Sequence, residues 1–146
     1  MQQIAEDLRA AVAAAVPRLL EITDEEAAAP GNGGGWSPKQ VLGHLIDSAA
    51  NNHQRFVRLQ FERALVFPPY QQNQWVDSQQ YQRRPWNDLV ELWRAYNLHL
   101  AHVLEHSNLE TLGNVWKYSQ GDLTLEEVAT DYPRHMQHHL GQILGR

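Results

Sequence analysis

The sequence contains no cysteine among its 146 residues. A chain without thiols cannot form a disulfide framework, a thiolate zinc site, an iron–sulfur cluster or a cysteine nucleophile. Any metal ion must therefore be held by imidazole nitrogens or by oxygen atoms. Because a chain of about 150 residues buries roughly two-thirds of its unfolded surface, we expect a single domain over residues 1–146 that needs no cross-link.

Basic residues and long hydrophobic runs are also scarce. Lys and Arg number 12 against 17 Asp and Glu, which gives a formal net charge of -5. This balance argues against nucleic acids and anionic membrane surfaces as partners, because proteins bind both by neutralising negative charge. The apolar stretch 10–16 follows acidic residues, and no window approaches the roughly 20 apolar residues of a membrane span. We therefore expect a cytoplasmic protein.

Four segments have the hydrophobic periodicity of amphipathic helices. They cover approximately residues 4–22, 37–64, 86–106 and 124–144. Ser37 and Thr124 each stand three residues before Gln or Glu, the capping-box pattern of a helix start. Residues 30–35 and 65–85 are connections, and Pro133 should kink the fourth helix. The pattern predicts an all-α four-helix bundle without strands.

The connection at residues 65–85 bears on how the helices are arranged. The second helix is about 40 Å long, whereas some 20 extended residues reach about 65 Å. The chain can therefore return to the starting end of the second helix and place the third helix parallel to it.

Eight histidines are present, and their positions on the helices separate them. At about 100° per residue, His135 and His139 point into the apolar stripe of the fourth helix, with Cβ atoms roughly 6 Å apart. His44 lies at the border of the stripe of the second helix, near its start. If these two helices are antiparallel, the three side chains share one level. Three imidazoles leave coordination positions open, as in catalytic sites, and suit Zn²⁺ or Ni²⁺.

Other interpretations of the histidines stand beside this one. The pair on the fourth helix could instead lie at the edge of the core, hydrogen-bonded to the backbone or to each other. A rival set occurs on the third helix, but it points away from the apolar stripe, and we interpret it as solvated. His53 and His138 are likewise interpreted as surface residues. The rival set consists of His99, His102 and His106.

These motifs resemble those of the DinB/YfiT-like family of metalloenzymes. The resemblance is carried by Trp36-Ser37-Pro38 at a helix start, by His44-Leu45, and by the closing segment 135–143, HMQHHLGQI. It implies an up-down-down-up four-helix bundle with a long crossover after the second helix. It also implies a metal triad of one histidine on the second helix and two on the fourth, which are His44, His135 and His139 here. Leu140 and Pro133 depart from the family pattern without touching a ligand.

The resemblance also implies a thiol-dependent S-transfer or isomerisation that uses a small thiol such as bacillithiol or mycothiol. The carboxylate base of the His-Glu-x-x-His metalloproteases is absent, because residues 136–138 are Met, Gln and His. Chemistry would therefore rest on the metal itself. We weigh a metal-dependent transferase or hydrolase acting on a small electrophile, a non-catalytic protein that binds a metal or small ligand, and a purely structural bundle. A homodimer is also expected.

Further site residues follow from placing the starts of the second and third helices at the metal end of the bundle. The expected substrate-binding residues are Trp36, Arg84 and Trp86, and Arg83 or Arg84 could hold a substrate carboxylate. Asp47, one turn after His44, could orient an imidazole. The alternatives are packing tryptophans, surface arginines and a solvated carboxylate.

Overall fold

The computed structural model describes residues 1–145 and contains four long helices with shorter elements between them. In chain order the helices are α1 (Gln2–Leu20), α2 (Asp24–Ala28), α3 (Pro38–Arg58), α4 (Gln72–Gln79), α5 (Trp86–Glu105) and α6 (Leu125–Leu144). The long helices α1, α3, α5 and α6 lie in the segments whose hydrophobic periodicity predicts them. None of the helices within residues 1–145 has the length and hydrophobicity that a membrane span requires.

Local sequence signals define two of the helix starts. The Ser37 side chain accepts a hydrogen bond from the Gln40 amide, and the Gln40 side chain accepts one from the Ser37 amide at 3.0 Å. Thr124 and Glu127 form the same reciprocal pair at the start of α6. Both capping boxes are predicted from the sequence and confirmed, since each satisfies two amides that a helix start leaves without partners.

The start of α5 is capped from a distant part of the chain. No side chain next to Trp86 caps it, and the Asp24 carboxylate accepts a hydrogen bond from the Trp86 amide at 2.7 Å. The same carboxylate binds Nζ of the buried Lys39 at 2.9 Å. Asp24 therefore holds the starts of α3 and α5 together.

A small sheet lies beside the helices, so the prediction of a strand-free chain is wrong. Its strands are β1 (Ala64–Val66), β2 (Val115–Tyr118) and β3 (Gly121–Thr124), in the order β1-β2-β3. β1 is parallel to β2, and β2 is antiparallel to β3. Strands of three or four residues are too short to show alternation, and β1 pairs with a segment far away in the sequence.

The segment between α3 and α5 is also more ordered than the sequence predicts. The second predicted helix ends at Arg58 rather than near Ala64, and the connection that follows contains β1, α4 and a turn of 3₁₀ helix at Tyr81–Arg83. Helix α6 begins at Leu125 and continues through Pro133 to Leu144. These elements determine what covers the face of α3 that carries His44.

Candidate metal centre

Three histidine side chains from two helices converge at one point. His44 of α3 and His135 of α6 have their Nε2 atoms 3.3 Å apart, and the ring of His139 lies 4.6 Å from each of their ring centroids. One ring nitrogen of each histidine lies within 4.8 Å of the other two. The structure thus brings together all three residues that the sequence nominates.

The three imidazoles are held in the neutral form by their surroundings. His44 is only 1% exposed, and burial, followed by repulsion from His139 and His135, lowers its pKa to about 4. Burial is also the main cause that lowers the pKa values of His135 and His139. Neutral imidazole is the form that donates a lone pair to a metal ion, so little proton competition occurs at neutral pH.

The second ring nitrogens show how these imidazoles are oriented. Nδ1 of His139 donates to Oε1 of Gln142 at 2.9 Å, which leaves the lone pair of the ring on Nε2. Nδ1 of His44 is buried and makes no hydrogen bond within residues 1–145. The facing Nε2 atoms of His44 and His135 can share at most one proton in a hydrogen bond. A divalent cation, by contrast, can accept a lone pair from each of the three rings. The donor set therefore fits a divalent metal ion.

Gln142 is a residue that the sequence interpretation quotes but does not assign to the site. We expect Gln142→Leu to lower the affinity for Zn²⁺ by about 10- to 100-fold, because partners of this kind fix the orientation of a ligating ring. Isothermal titration of Zn²⁺ measures the change. Gln137→Leu, at an exposed position on the same helix, is the matched control and should bind as the wild type does. Equal affinities of the two variants would exclude this orienting role.

Asp47 belongs to a buried network rather than to the solvated helix surface. It is 1% exposed, and its Oδ1 accepts hydrogen bonds from the Tyr81 hydroxyl at 2.6 Å and from Gln79 at 2.7 Å. Burial raises the pKa of this carboxyl, and the two hydrogen bonds oppose that shift. Its Oδ2 has no partner among residues 1–145. The solvated interpretation of Asp47 is therefore wrong, since Tyr81 and Gln79 cover it from the segment before α5.

The absence of a side chain at Gly43 makes room for Tyr81. A Cβ atom built at Gly43 would lie 2.2 Å from the Tyr81 ring, whereas one built at Gly141 meets no atom within 4 Å. Gly43→Ala should therefore reduce the free energy of unfolding by about 1–3 kcal/mol through overpacking. Gly141→Ala should increase it by about 0.5–1 kcal/mol, because alanine favours helix. Urea denaturation of both variants checks the opposite signs, and a neutral Gly43→Ala would contradict the packing.

Two aromatic side chains flank the triad. The ring of Trp36 lies 5.3 Å from that of His44, as the sequence predicts for a site residue, and the ring of Tyr70 stacks on that of His44 at 6.5 Å. Burial raises the pKa of Tyr70 to about 12, so its hydroxyl stays protonated. Tyr70 lies in the segment that the sequence predicts as an irregular connection, so no local pattern marks it as a site residue.

The other predicted substrate-binding residues line neither of the two cavities that contain triad histidines. Trp86 is 1% exposed, and its indole nitrogen donates to the Leu19 carbonyl at 2.7 Å, so the ring lies between α1 and α5. Arg83 and Arg84 are exposed. The starts of α3 and α5 do share one end of the molecule, but the rotation of α5 turns Trp86 toward α1. That rotation depends on packing and is not visible in local spacing.

The remaining histidines lie outside the triad. His53 is half-buried, with Nδ1 3.0 Å from the Tyr96 hydroxyl, so it is less exposed than the predicted surface position implies. The rival set and His138 are exposed, as predicted. Ligand atoms of His102, Glu105 and His106 also lie within 4.8 Å of one another, but Glu105 is already bound by Arg9 at 2.6 Å. This exposed cluster provides control positions for metal binding.

Two cavities open beside the triad. The larger, about 750 Å³, lies between α3, α6 and the small sheet, and His44 and His135 are part of its wall. The other, about 600 Å³, is lined by His139, Gln142 and Trp36. Volumes of this size are typical of small-molecule sites. A metal ion held by the three ring nitrogens could therefore be reached by a small molecule from either cavity.

Comparisons with known proteins agree with this geometry. The family model described as the DinB superfamily matches residues 6–143. A protein of Oceanobacillus iheyensis named "Putative metal-dependent hydrolase" is 25% identical over 134 residues, covering 88% of this chain and 77% of that relative. A Bacillus mycoides protein of the same description is 27% identical over 127 residues, covering 86% and 72%.

A solved structure shows the same fold. YfiT from Bacillus subtilis, described as "a probable metal-dependent hydrolase with an unusual four-helix bundle topology", matches with a TM-score of 0.86 at 23% identity. The match covers 98% of this chain and 83% of that chain. The likeness confirms the four-helix bundle, and in this chain the three-stranded sheet described above lies beside the bundle.

Proposed function

Because the chain belongs to the DinB superfamily, we propose that it is a metal-dependent enzyme that acts on a small electrophile at one divalent cation. The observation that carries this proposal is the convergence of three neutral imidazoles, those of His44, His135 and His139. Zn²⁺ and Ni²⁺ are among the ions that suit such a nitrogen donor set. Hydrolysis is the first candidate reaction, since the relatives are named "Putative metal-dependent hydrolase".

The roles of the residues follow from their positions. A divalent cation held by the three histidines would supply Lewis acidity and lower the pKa of a water or thiol that it binds. Gln142 keeps the lone pair of His139 on Nε2. Asp47 is three positions after His44, and neither its Oδ2 nor Nδ1 of His44 has a hydrogen-bond partner within residues 1–145. We propose that, with a cation bound, Asp47 accepts a hydrogen bond from Nδ1–H of His44, a bond that the described residues do not form here and that would keep the His44 lone pair on Nε2.

Transfer of a thiol to the electrophile is the second candidate reaction. The observation that favours it is the cavity of about 750 Å³ beside His44 and His135, which is far larger than the roughly 30 Å³ of one water molecule. A small thiol and an electrophile can occupy it together. The chain contains no cysteine, so the sulfur would come from a cosubstrate such as bacillithiol or mycothiol.

Turnover assays on metal-loaded protein separate these candidates. The protein is incubated with 4-nitrophenyl acetate, an epoxide and an alkyl halide, each with and without added thiol, and His139→Ala is the inactive control. Turnover without thiol supports hydrolysis, and turnover only with thiol supports transfer. A metal-loaded wild type that is inert under every condition would overturn the enzymatic proposal and favour a protein that binds metal without catalysis.

We also propose the helix order up-down-down-up. Arg18, near the end of α1, donates to the Leu144 carbonyl at the end of α6. Gln2, at the start of α1, binds Glu105 at the end of α5. Asp24 joins the starts of α3 and α5. These contacts support parallel α1 and α6, and parallel α3 and α5 running the opposite way.

The lack of cysteine allows a direct test of this order. Spin labels on Gln3→Cys and His106→Cys should lie close together, because both positions are at the same end of the antiparallel pair α1 and α5. Pulsed electron resonance measures the separation. A distance near the length of α1, about 28 Å, would contradict the proposed order.

A further inference from the structure

Helix α3 presents a row of polar side chains that continues beyond His44. Ser48, Asn52 and Arg55 follow at helical spacing, and all of them line the larger cavity. Arg55 is eleven positions after His44, which is about three full turns, so the two residues lie on one face of the helix. The cavity therefore has the metal ligands at one end and a guanidinium further along the same wall.

Arg55 is a buried cation without an anionic partner. It is 6% exposed and forms no salt bridge within residues 1–145. Nη1 donates to Oδ1 of Asn52 at 3.2 Å, while Nε is buried with no partner in the described part of the chain. Burial lowers the pKa of Arg55 to about 10, which still leaves it charged at neutral pH. Burying a cation in this way is costly unless a counter-charge arrives.

The sheet fixes the orientation of this guanidinium. Arg55 lies over the ring of Trp116 of β2, 3.7 Å from its centroid. Trp116 is held in turn by a 2.6 Å hydrogen bond from its indole nitrogen to the Phe67 carbonyl. The aromatic face compensates part of the buried charge but accepts no hydrogen bond from Nε. The arginine is thus rigidly placed with donors still available.

The carboxylates in the cavity wall are committed elsewhere. Glu127 accepts the hydrogen bonds of the capping box at Thr124, and Asp131 pairs with Arg134 at 3.2 Å. Neither forms an ion pair with Arg55. The Arg55 guanidinium is therefore not neutralised by a carboxylate of the cavity wall. It can pair with an anion that enters the cavity.

We propose that this cavity binds a small molecule with a carboxylate, and that the carboxylate oxygens accept hydrogen bonds from the guanidinium of Arg55. Arginine pairs with carboxylates through two parallel bonds of this kind. The reacting bond of that molecule would lie at the histidine triad, a part of the inference that rests on the proposed function. About 16 Å of helix separates the Cα atoms of His44 and Arg55, so the substrate is elongated. Arg55 thereby takes the role that the sequence offers to Arg83 or Arg84.

Binding of simple anions to metal-free protein tests this inference without any turnover. Hexanoate is titrated while the NMR signal of the Arg55 Nε–H group is followed, and hexanamide serves as the neutral analogue of the same length. Hexanoate should shift the signal and hexanamide should not. Arg55→Met should weaken hexanoate binding by about 10- to 100-fold, the loss expected for hydrogen bonds to a charged group.

Matched variants separate this role from others. Arg58→Met, one turn later where Arg58 pairs with Glu62 at 2.8 Å, should keep the affinity for hexanoate. His139→Ala should keep it as well, so loss of the metal site and loss of the anion site are distinguishable. Arg55→Met should also leave the urea midpoint of the ligand-free protein unchanged or raise it, because it removes an unpaired buried charge. A purely structural arginine would lower that midpoint.

Three results would overturn the inference. They are hexanoate that does not bind the wild type, equal binding by Arg55→Met, and inorganic phosphate that binds at Arg55 in preference to hexanoate. The last result would assign the cavity to phosphorylated molecules instead of carboxylates.

Discussion

Replacing His139 by alanine is expected to lower the affinity of the protein for Zn²⁺ by roughly 100-fold or more. A structural zinc site with four ligands has an apparent binding free energy of about 10–16 kcal/mol, or about 3 kcal/mol for each ligand. His44→Ala and His135→Ala should show losses of the same size, because the three ring nitrogens lie within 4.8 Å of one another. Isothermal titration at neutral pH measures all three.

The exposed histidines of α5 provide the control. The double variant His102→Ala/His106→Ala removes two imidazoles whose ring centroids are 4.4 Å apart, and it should leave the tight binding event unchanged. If this variant loses the tight event and His139→Ala keeps it, the metal centre lies on α5, and the triad has only a packing role. The pair of measurements thus decides between the two histidine clusters.

The free energy of unfolding of the metal-free protein is expected to fall by about 2–3 kcal/mol between pH 6.5 and pH 4, with His44 as the main cause. Its pKa is about 4 in the folded protein against 6.5 in the unfolded chain. Below pH 6.5 His44 therefore binds a proton in the unfolded chain but stays neutral in the folded protein. This loss of stability is complete once the pH is below the pKa of His44 in the folded protein, about 4. His135 and His139 act in the same direction, because their pKa values are also lowered.

Asp47 opposes this trend, so the comparison with a variant is essential. Its pKa is raised by burial, and a carboxyl of this kind contributes stability at low pH that is lost as the pH rises. His44→Gln removes the imidazole and should flatten the fall in stability between pH 6.5 and pH 4, whereas His102→Gln, at an exposed position, should not. Urea denaturation across this range gives the slopes. Equal slopes for the wild type and His44→Gln would contradict the buried neutral state of His44.

Zn²⁺ binding should follow the same titration. Protons compete with the metal for the three lone pairs only below the lowered pKa values of the ligands. We expect the affinity to hold at neutral pH and to fall only below the ordinary imidazole pKa of about 6.5, because the pKa values of all three ligands are lowered. Exposed imidazoles with an ordinary pKa near 6.5 would already lose affinity at about pH 6.5. The pH at which the affinity declines therefore reports whether buried or exposed histidines hold the ion.

The parts of this protein that depend on local spacing follow from the sequence alone. The capping boxes at Ser37 and Thr124 define two helix starts, because each satisfies its amides within three residues. The spacing of His135 and His139 places both on one helix face, and the position of His44 near the start of α3 predicts its level. Helical periodicity is a property of consecutive residues, so the four long helices and the candidate ligands are visible before any tertiary contact is known. That the three ligands meet follows only if α3 and α6 are antiparallel.

The surroundings of that triad depend on segments far apart in the chain, and only the tertiary structure decided them. Ala64 of β1 pairs with Val115 of β2, and this pairing brings Trp116 over Arg55 and closes the cavity wall. Tyr81 covers Asp47 in the same way. The spacing of a polar residue along a helix is the same whether the residue faces water or is buried. What covers it depends on packing between distant segments, which local patterns do not encode.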